Sequence, residues 1–550
     1  MMSSSLFNVG RYAEKTICAC DISGGVAAAE VLSLCARCSR IIPYDLSLLS
    51  YTARVTFLES VKSGKALTLH GHNFIWSVKH ERPSTVLAWR GVADPLADAA
   101  LAELGVDSCD AAKVLAAAAA EHHHGSGTAS SALLSAMDLP PWADAAKCRR
   151  GGEIWFVNAP TLGPCLLGLS LLGGFGSSAI NETLVAAGGL TGSRDRVHRR
   201  LIETLQFVND VCSGSLERGG QGWRAILDVR MLHARVRARI RHRSLTPAAH
   251  ESTSSTATAS CPFGYTDDDN ESEDKGEPVS AGDIVATQLA FSLVMLMGAE
   301  RAGLAWHLSD EDVGAVIHLW GVIGTMMGAT HAAGMNEWAA KGDLKGAMRT
   351  LESLVVVLAS PGVHTRPLVL ATARAAAWRL PFLWSPADQI AVASALAGSR
   401  YAHALGLPSL DDPSLTHVID DAAPTTAFTT ELLYVRTNAS AYYLAVDGAP
   451  KEGSSLRVIY APIRKLVGVF LRTFKWCLLI FSSTYYAFHP LAQKETKAVR
   501  RGLTLLAPLR IWSMLVWFLP LRVQRKLAAV NEAALKSIVS RRLRGRALYA

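Results

Sequence analysis

The chain has 550 residues, with 55 lysines and arginines against 47 acidic residues and a formal net charge of +8. Half of its residues are hydrophobic and only 19% are charged, a more apolar balance than most soluble enzymes have, which indicates a membrane association or a large apolar pocket. Ten cysteines without regular spacing, and an N-terminus that lacks an apolar signal segment, exclude a secreted disulfide framework.

Two clusters of metal-binding residue types lie near the N-terminus. Cys18, Cys20, Cys35 and Cys38 follow the pattern C-x-C-x14-C-x2-C, but a C-x-C half is atypical of structural zinc sites. The run at 122–124 holds three adjacent histidines, which cannot share one face of a helix. We therefore interpret the cysteines as free thiols and the histidines as part of a solvated helix end or loop.

The middle of the chain predicts an all-α domain. From about residue 139 the apolar residues recur at helical spacing between glycine clusters, and Ser309 followed by Asp312 marks a helix start. Residues 246–281 are rich in Ser, Thr, Asp and Glu and predict a disordered insertion. These patterns divide the chain into an N-terminal extension of unknown role (1–85), a helical domain (86–460) and apolar and basic C-terminal helices (461–550).

Two apolar stretches near the C-terminus, 476–488 and 511–521, are shorter than the roughly 20 residues that span a bilayer. They fit helices that lie in a membrane interface and equally fit core helices of the main domain. In the first case, three tryptophans would lie at the level of the lipid headgroups: Trp476, Trp512 and Trp517.

The segment "VRMLHARVRARIRHR" at 229–243 combines six arginines with His233. On a helix, the histidine shares its face with Val229, Val236 and Ile240, while Arg230 and Arg237 border that face. A helix that grips nucleic acid would instead have a whole basic face. An imidazole in apolar surroundings with guanidinium groups at the rim suits an axial haem ligand, and it equally suits a buried structural histidine.

A second helix is predicted over 194–211. It places Arg200, Glu203 and Thr204 on neighbouring turns, where they could supply a charge, a base and a hydroxyl group to a pocket. They could also be ordinary surface residues, with Glu203 paired to Arg199 and Arg200.

Taken together, the motifs resemble those of the MpaB and rubber oxygenase (latex clearing protein) catalytic domain over roughly residues 85–400. The most specific elements are R-x-x-x-T at Arg200 and Thr204, and V-R-x-x-H-A-x-V-R around His233. The segments that carry the resemblance are "RGVADPLADAAL", "LPPWADAAKCRRGGEIWF", "RRLIETLQFV", "GGQGWRAILDVRMLHARVR", "ATQLAFSLVML" and "HLWGVIGTMMG".

The resemblance implies an all-α fold related in spirit to the globins and a b-type haem whose iron His233 ligates. It places Arg200 and Thr204 at the haem pocket as catalytic residues together with Glu203, and Arg230, Arg237 and Thr287 beside the cofactor. The implied reaction is oxidation or cleavage by O2 of a carbon–carbon double bond in a prenyl chain or another hydrophobic substrate. We further expect a membrane-associated enzyme, on the cytosolic face of the endoplasmic reticulum, with no nucleic-acid partner.

The chain departs from rubber oxygenases at two positions. Glu203 stands where they have a lysine between the arginine and the threonine, and Arg230 stands where they have a second histidine. The distal side of the pocket therefore differs, with Glu182 as a further candidate carboxylate. The alternative function is a non-catalytic haem-binding or lipid-binding protein of the same fold.

Overall fold

The computed structural model describes residues 41–105, 111–121, 128–245, 276–305, 308–329, 335–377, 384–408 and 497–544. These residues are mostly helical, which confirms the predicted all-α class. The predicted relation to the globins stays a prediction. The four cysteines at 18–38, the histidine run at 122–124 and the apolar stretch 476–488 lie outside the described residues.

The first helices are α1 (Tyr51–Ser60), α2 (Pro83–Arg90), α3 (Pro95–Leu104), α4 (Ala111–Glu121) and α5 (Ala129–Ser135). They are followed by α6 (Ala145–Cys165), α7 (Leu172–Gly174), α8 (Ser178–Ala187), α9 (Arg194–Ser213) and α10 (Gln221–Leu245). Next come α11 (Ala281–Leu289), α12 (Met295–Arg301), α13 (Asp310–Met326), α14 (Met335–Lys341) and α15 (Leu344–Leu358). The last are α16 (Thr365–Ala376), α17 (Pro386–Ala397), α18 (Ser399–Ala404), α19 (Lys497–Phe518) and α20 (Leu521–Arg544). A 3-10 turn covers Leu46–Leu48, and π-helical turns cover Leu166–Leu171 and Ala290–Val294.

A small sheet precedes the helices in a region where the sequence indicated no particular structure. Its strands are β1 (Tyr44–Asp45), β2 (Ala66–Leu69) and β3 (His72–Ile75), with β2 parallel to β1 and antiparallel to β3. His70 and Gly71 join β2 to β3 with φ values of 50° and 88°. Positive φ at both central residues is typical of the tight turns that suit the twist of a hairpin.

The sheet is tied to α15 by a buried carboxylate. Glu352 accepts hydrogen bonds from His72 Nε2 at 3.2 Å and from His80 Nε2 at 2.9 Å. Burial alone would raise the pKa of Glu352, but the two imidazole donors outweigh it, so the net shift is downward. The side chain is therefore a carboxylate anion that holds the N-terminal segment against the helical body.

Helix α6 lies at the centre of the fold, where α9, α13, α19 and α20 pack around it. Close approach is possible because α6 has two glycines at its seventh and eighth positions: a Cβ on Gly152 would collide with the carbonyl oxygen of Cys212 on α9. A Cβ on Gly151 would lie 2.7 Å from the Ala315 carbonyl oxygen on α13. The two glycines therefore let three backbones meet in one layer.

One hydrophobic cluster joins the described residues of all three predicted parts of the chain. It contains Leu46 from the N-terminal extension, Trp223 from the middle and Val516 from the C-terminal helices. Two helical stretches, Ala145–Gly174 and Ala281–Arg301, are long and apolar enough to cross a membrane, but 67% and 56% of their apolar windows are buried inside the protein. Burial of this extent is also found in core helices of soluble proteins, so the finding is weak evidence of a membrane span.

In the second C-terminal apolar stretch, 511–521, the side chains of Trp512, Ser513 and Val516 pack against the core, whereas Leu521 at its end is exposed. Helix α19 packs along α17 and α6, Trp512 Nε1 donates to the Val157 carbonyl oxygen at 3.1 Å, and Ser513 Oγ donates to the Leu304 carbonyl oxygen at 2.7 Å. Trp512 therefore does not have the free indole group expected of a headgroup anchor. For these residues the core-helix alternative fits the structure.

The end of the predicted insertion, residues 276–281, is packed against the chain between α2 and α3. The Glu277 amide donates to the Arg90 carbonyl oxygen and the Ala281 amide donates to the Val92 carbonyl oxygen, both at 2.8 Å. Residues 246–275 lie outside the described residues. The amides of Glu277 and Ala281 thus have partners in the folded body, and the disordered insertion as a whole stays a prediction.

Candidate functional site

A cleft of about 240 Å³ opens between the start of α3, the middle of α10, the start of α11 and the end of α13. His233 and Arg237 of α10 form one wall, and Ile284 of α11 and Met327 face them. Its other lining residues are Ala93, Asp94, Val279, Ala281 and Gly328. The cleft is therefore apolar apart from one imidazole, one guanidinium group and one carboxylate.

His233 lies in this cleft, as the helical spacing predicts, with a partly exposed side chain. Among the described residues, no group forms a hydrogen bond with its ring nitrogens. Burial, followed by the guanidinium groups of Arg237 and Arg200, lowers the pKa of His233 to about 4. The imidazole is therefore neutral at physiological pH and has a nitrogen lone pair available for a ligand or metal.

Arg230, beside His233 on α10, is fully buried and already has its partners. Its Nε and Nη2 donate to the two carboxylate oxygens of Asp94 at 2.6 and 3.0 Å, and its Nη1 donates to the Met326 carbonyl oxygen at 2.9 Å. Burial tends to raise the pKa of Asp94, but the Arg230 contact outweighs it and lowers the pKa. This bidentate pair joins α10 to α3 and to the end of α13.

Gly328 gives the pair room at the edge of the cleft. Its φ is 96°, and a Cβ there would lie 2.9 Å from Asp94 Oδ2 and 3.3 Å from Arg230 Nη2. Both the backbone conformation and the close approach therefore require glycine.

Arg237 and Arg241, two and three turns further along α10, form a second ion-pair group. Arg237 is 1% exposed, and its Nε donates to Asp98 Oδ1 at 2.8 Å while Nη1 donates to the Val279 carbonyl oxygen at 3.2 Å. Arg241 pairs with Asp98 and Glu277, both at 2.8 Å. Arg241 is partly exposed, and acidic side chains from α3 and residue 277 hold it in place.

Val279 lines the cleft in a backbone conformation that is rare for a β-branched residue, with φ at 53°. Arg237 binds its carbonyl oxygen, and the next residue, Ser280, caps α11 through a capping box with Asp283. The chain thus re-enters the fold beside His233 through a strained residue that is fixed on both sides.

Residues 162–425 match the family model described as the catalytic domain of the ER-bound oxygenases mpaB/B' and rubber oxygenase. This region of the chain is similar to the mpaB and rubber oxygenase family. The match begins later than the motifs indicated, after Asp94 and Asp98, and it contains every predicted site residue. No curated protein and no solved structure matches the chain.

The family match supports an oxygenase role for the cleft region. Within the matched region, the R-x-x-x-T element of this mpaB-like chain lies on the surface of α9. Arg200 and Arg199 both pair with Glu203 at 2.9 Å, and the exposed Thr204 donates its hydroxyl group to the Arg200 carbonyl oxygen at 3.0 Å. None of Arg200, Glu203 and Thr204 lines the cleft, although Arg200 lies close enough to His233 to lower its pKa. Their catalytic assignment stays a prediction.

Two other predicted residues of the mpaB-like region do not line the cleft. Thr287 is exposed on α11, one turn beyond Ile284, and Glu182 is exposed on α8. Sequence reasoning missed the two acidic partners of Arg230 and Arg237, which are Asp94 and Asp98. Asp94 and Asp98 are four residues apart in "DPLAD", and on α10 Arg237 and Arg241 follow Arg230 by seven and eleven residues. Only the fold shows that the two helices face each other.

The cleft offers a donor group that suits haem iron, but in this structure it is too small to hold a haem. His233 offers a neutral imidazole without another partner, which is what an axial ligand needs. Arg230 and Arg237, which the resemblance places beside the cofactor, form ion pairs with Asp94 and Asp98. Only about 10 Å³ of the cleft is wide enough for the centre of a water molecule, which is room for about one water, so the cofactor would need side chains such as Met327 and Ile284 to move apart.

Proposed function

We propose that the protein is a haem-dependent oxygenase that oxidises or cleaves a carbon–carbon double bond of a prenyl chain or another hydrophobic substrate with O2. The observation that carries the proposal is His233, a neutral imidazole without a partner in an apolar cleft of an oxygenase-family domain. The alternative interpretation is a buried structural histidine, whose ring nitrogens would ordinarily form hydrogen bonds. Among the described residues, those bonds are missing.

In this proposal a b-type haem is held through His233 and supplies the iron at which dioxygen is activated. The protein's own contribution is the surrounding wall. Ile284, Met327 and Val279 would contact the hydrocarbon substrate and exclude water from it. The Arg230–Asp94 pair would fix the α10 helix that carries His233, and so would hold the imidazole in place.

Charged residues lie on two sides of His233 and could meet a bound cofactor or substrate. Arg237 lies on the side of α3, and Arg200 with Glu203 lies on the side of α9. A cofactor on the α9 side would bring Arg200, Thr204 and Thr287 into contact with it, as the family resemblance implies. In that arrangement Glu203 is the carboxylate that could accept a proton, with Arg200 holding it in place.

The proposed location is the cytosolic face of the endoplasmic reticulum, with a membrane surface as partner. It is supported by the family's description as ER-bound and by the apolar composition of the chain. A membrane-associated enzyme meets prenyl substrates where they dissolve, which agrees with an apolar cleft.

Haem binding tests the proposal directly. The full chain is produced with added haem precursor, and we expect a Soret band that His233→Ala abolishes. The matched control is His242→Ala, since His242 is an exposed histidine on the same helix. A parent protein without haem, or a His233→Ala variant that retains the parental spectrum, would show that the assignment is wrong.

Oxygen consumption tests the reaction. We expect the haem-loaded protein to take up O2 when a farnesyl compound is added, and to give a product shortened or oxygenated at the double bond. The second candidate function, a haem-binding or lipid-binding protein without turnover, is favoured by the engagement of Glu203 in surface ion pairs where relatives have a lysine. Stable haem binding without O2 uptake over a panel of prenyl and other alkenes would decide for that candidate.

A further inference from the structure

The positive charge of the chain is concentrated in its last two described helices. Residues 497–544 contain eleven lysines and arginines and a single acidic residue, Glu532, for a net charge of +10. The whole chain carries +8, so the remaining residues together carry −2. The C-terminal helix pair is therefore a cationic element on a nearly neutral body.

Three of these arginines have partners within the folded protein. Arg501 pairs with Asp388, Arg525 pairs with Glu153, and Arg510 donates to the Ala302 carbonyl oxygen. Arg522 and Lys526 differ from these. Both are exposed, and among the described residues neither has an ion-pair or hydrogen-bond partner through its side chain.

These two cations lie at the corner where α19 turns into α20, together with exposed apolar side chains. Leu521 is 49% exposed and Val523 is 41% exposed. The large apolar residues that are exposed elsewhere in the described part of the chain stand singly: Leu48, Val78, Leu139 and Val363. We name residues 520–526 the helix corner.

A cavity of about 470 Å³ adjoins the helix corner. Leu521 and Gln524 line it together with Ile154, Val157 and Val516 of the core helices. Its polar end is the Arg150–Asp312 ion pair, at 2.7 Å, which leaves no net charge there. The cavity beside Leu521 therefore reaches from the surface into the protein, and its lining is more polar than apolar because Asn158 and Gln524 line it together with the ion pair.

Two features separate this cavity from the cleft at His233. Asp312 lies at the start of α13 and Met327 lies just after its end, which places the two cavities roughly 22 Å apart at a rise of 1.5 Å per residue. They also share no lining residue. The helix corner is therefore a second functional candidate and does not belong to the cleft.

We propose that the helix corner is the docking surface through which the protein binds a bilayer that contains anionic phospholipids. Arg522 and Lys526 pair with lipid headgroups, while Leu521 and Val523 enter the acyl boundary. Cations around a small apolar tip are the pattern by which peripheral proteins bind anionic membrane surfaces. The proposal refines the membrane association in the proposed function by naming the surface, and it does not depend on haem.

Vesicle flotation with the full chain tests this surface. The vesicles are phosphatidylcholine alone, or phosphatidylcholine with phosphatidylserine. Since each cation near an anionic surface contributes a factor of about five, we expect Arg522→Gln with Lys526→Gln to weaken binding to the anionic vesicles roughly thirtyfold. Leu521→Ser with Val523→Ser should instead remove the binding that persists at high salt, because screening does not affect burial of apolar groups.

The matched control carries the same loss of charge elsewhere. Arg500, at the far end of α19, and Lys345, at the start of α15, are exposed and have no side-chain partner among the described residues. Arg500→Gln with Lys345→Gln should leave vesicle binding within about twofold of the parent. Equal losses in the two double variants would overturn the proposal, because binding would then follow net charge alone.

Two further outcomes would overturn the proposal. Unchanged binding in both corner variants would show that another part of the chain meets the membrane. An equal loss of retention on an anionic polynucleotide would show a general polyanion surface, which overturns the lipid assignment. The Soret spectrum of each variant, measured in parallel, keeps this result separate from haem binding, because the helix corner is remote from His233.

Discussion

Removal of the Arg230 guanidinium group should destabilise the protein strongly. Asp94 would lose its counter-charge and two hydrogen bonds of 2.6 and 3.0 Å while its carboxylate stays buried at the cleft. Breaking one partner of a buried ion pair costs about 3–5 kcal/mol, because the remaining charge has no compensation. We therefore expect Arg230→Met to lower the free energy of unfolding by about that amount.

Removing both partners should cost less than the sum of the two single changes. Asp94→Ala leaves the Arg230 charge buried and also removes the cap that Asp94 provides to the Ala97 amide, worth about 1 kcal/mol. In the double variant neither charge is stranded, and only the cap and the Arg230 bond to the Met326 carbonyl oxygen are lost. A double-mutant cycle should therefore show a coupling energy of about 2–3 kcal/mol.

Urea denaturation followed by tryptophan fluorescence measures the four free energies. The surface control is Arg199→Met, since Arg199 pairs with Glu203 but has a side chain that is 67% exposed, and a pair of this kind contributes at most about 1 kcal/mol. If Arg230→Met costs no more than Arg199→Met, or if the cycle is additive, the Arg230–Asp94 pair does not hold α10 against α3.

Three further predictions follow from single residues of the fold. The pKa of Glu352 is lowered in the folded protein, so its stabilising contribution is present above about pH 4.5 and is lost as the pH falls through the lower folded pKa. Glu352→Gln should therefore flatten the acid limb of a plot of melting temperature against pH. An unchanged acid limb would contradict this. With a pKa of about 4, His233 stays neutral on acidification, so haem affinity should remain level from pH 8 to about pH 5.5 and fall only near pH 4, whereas a fall centred on pH 6.5 would show an unshifted imidazole. Gly328→Ala should destabilise the protein more than Gly64→Ala. Both glycines have positive φ, so each substitution costs about 1–2 kcal/mol in backbone strain, but only the Cβ at position 328 meets Asp94 and Arg230. Equal melting temperatures of the two variants would refute the packing argument.

The sequence allowed the prediction of features that depend on neighbouring residues. Ser309 and Asp312 form the capping box that their spacing predicts, and His233 lies on the cleft face of α10 that the helical periodicity defines. The hairpin of β2 and β3 was missed because its signal is a single glycine, Gly71, between two short strands. The helical class follows from periodicity alone, since each helix needs only its own residues to show an apolar face.

Features that depend on distant residues could not be predicted. Arg230 and Arg237 were expected to pair with a cofactor because their acidic partners are 136 and 139 residues earlier in the chain. An apolar helix such as α19 has the same composition whether it lies in a membrane interface or in a core. Only the presence of α17 and α6 along its length, with Trp512 bonded to Val157, distinguishes the two.

The ion pairs at the cleft also bear on what the functional unit is. The family match begins at residue 162, yet Asp94 and Asp98, which neutralise Arg230 and Arg237 of the matched helix α10, both precede it. A chain cut at the start of the match would bury two guanidinium groups without their carboxylates, and would also remove most of α6, against which α9 and α13 pack. The cleft that holds His233 is therefore built jointly by the matched region and by the segment before it, and the oxygenase unit of this protein begins at least as early as α3.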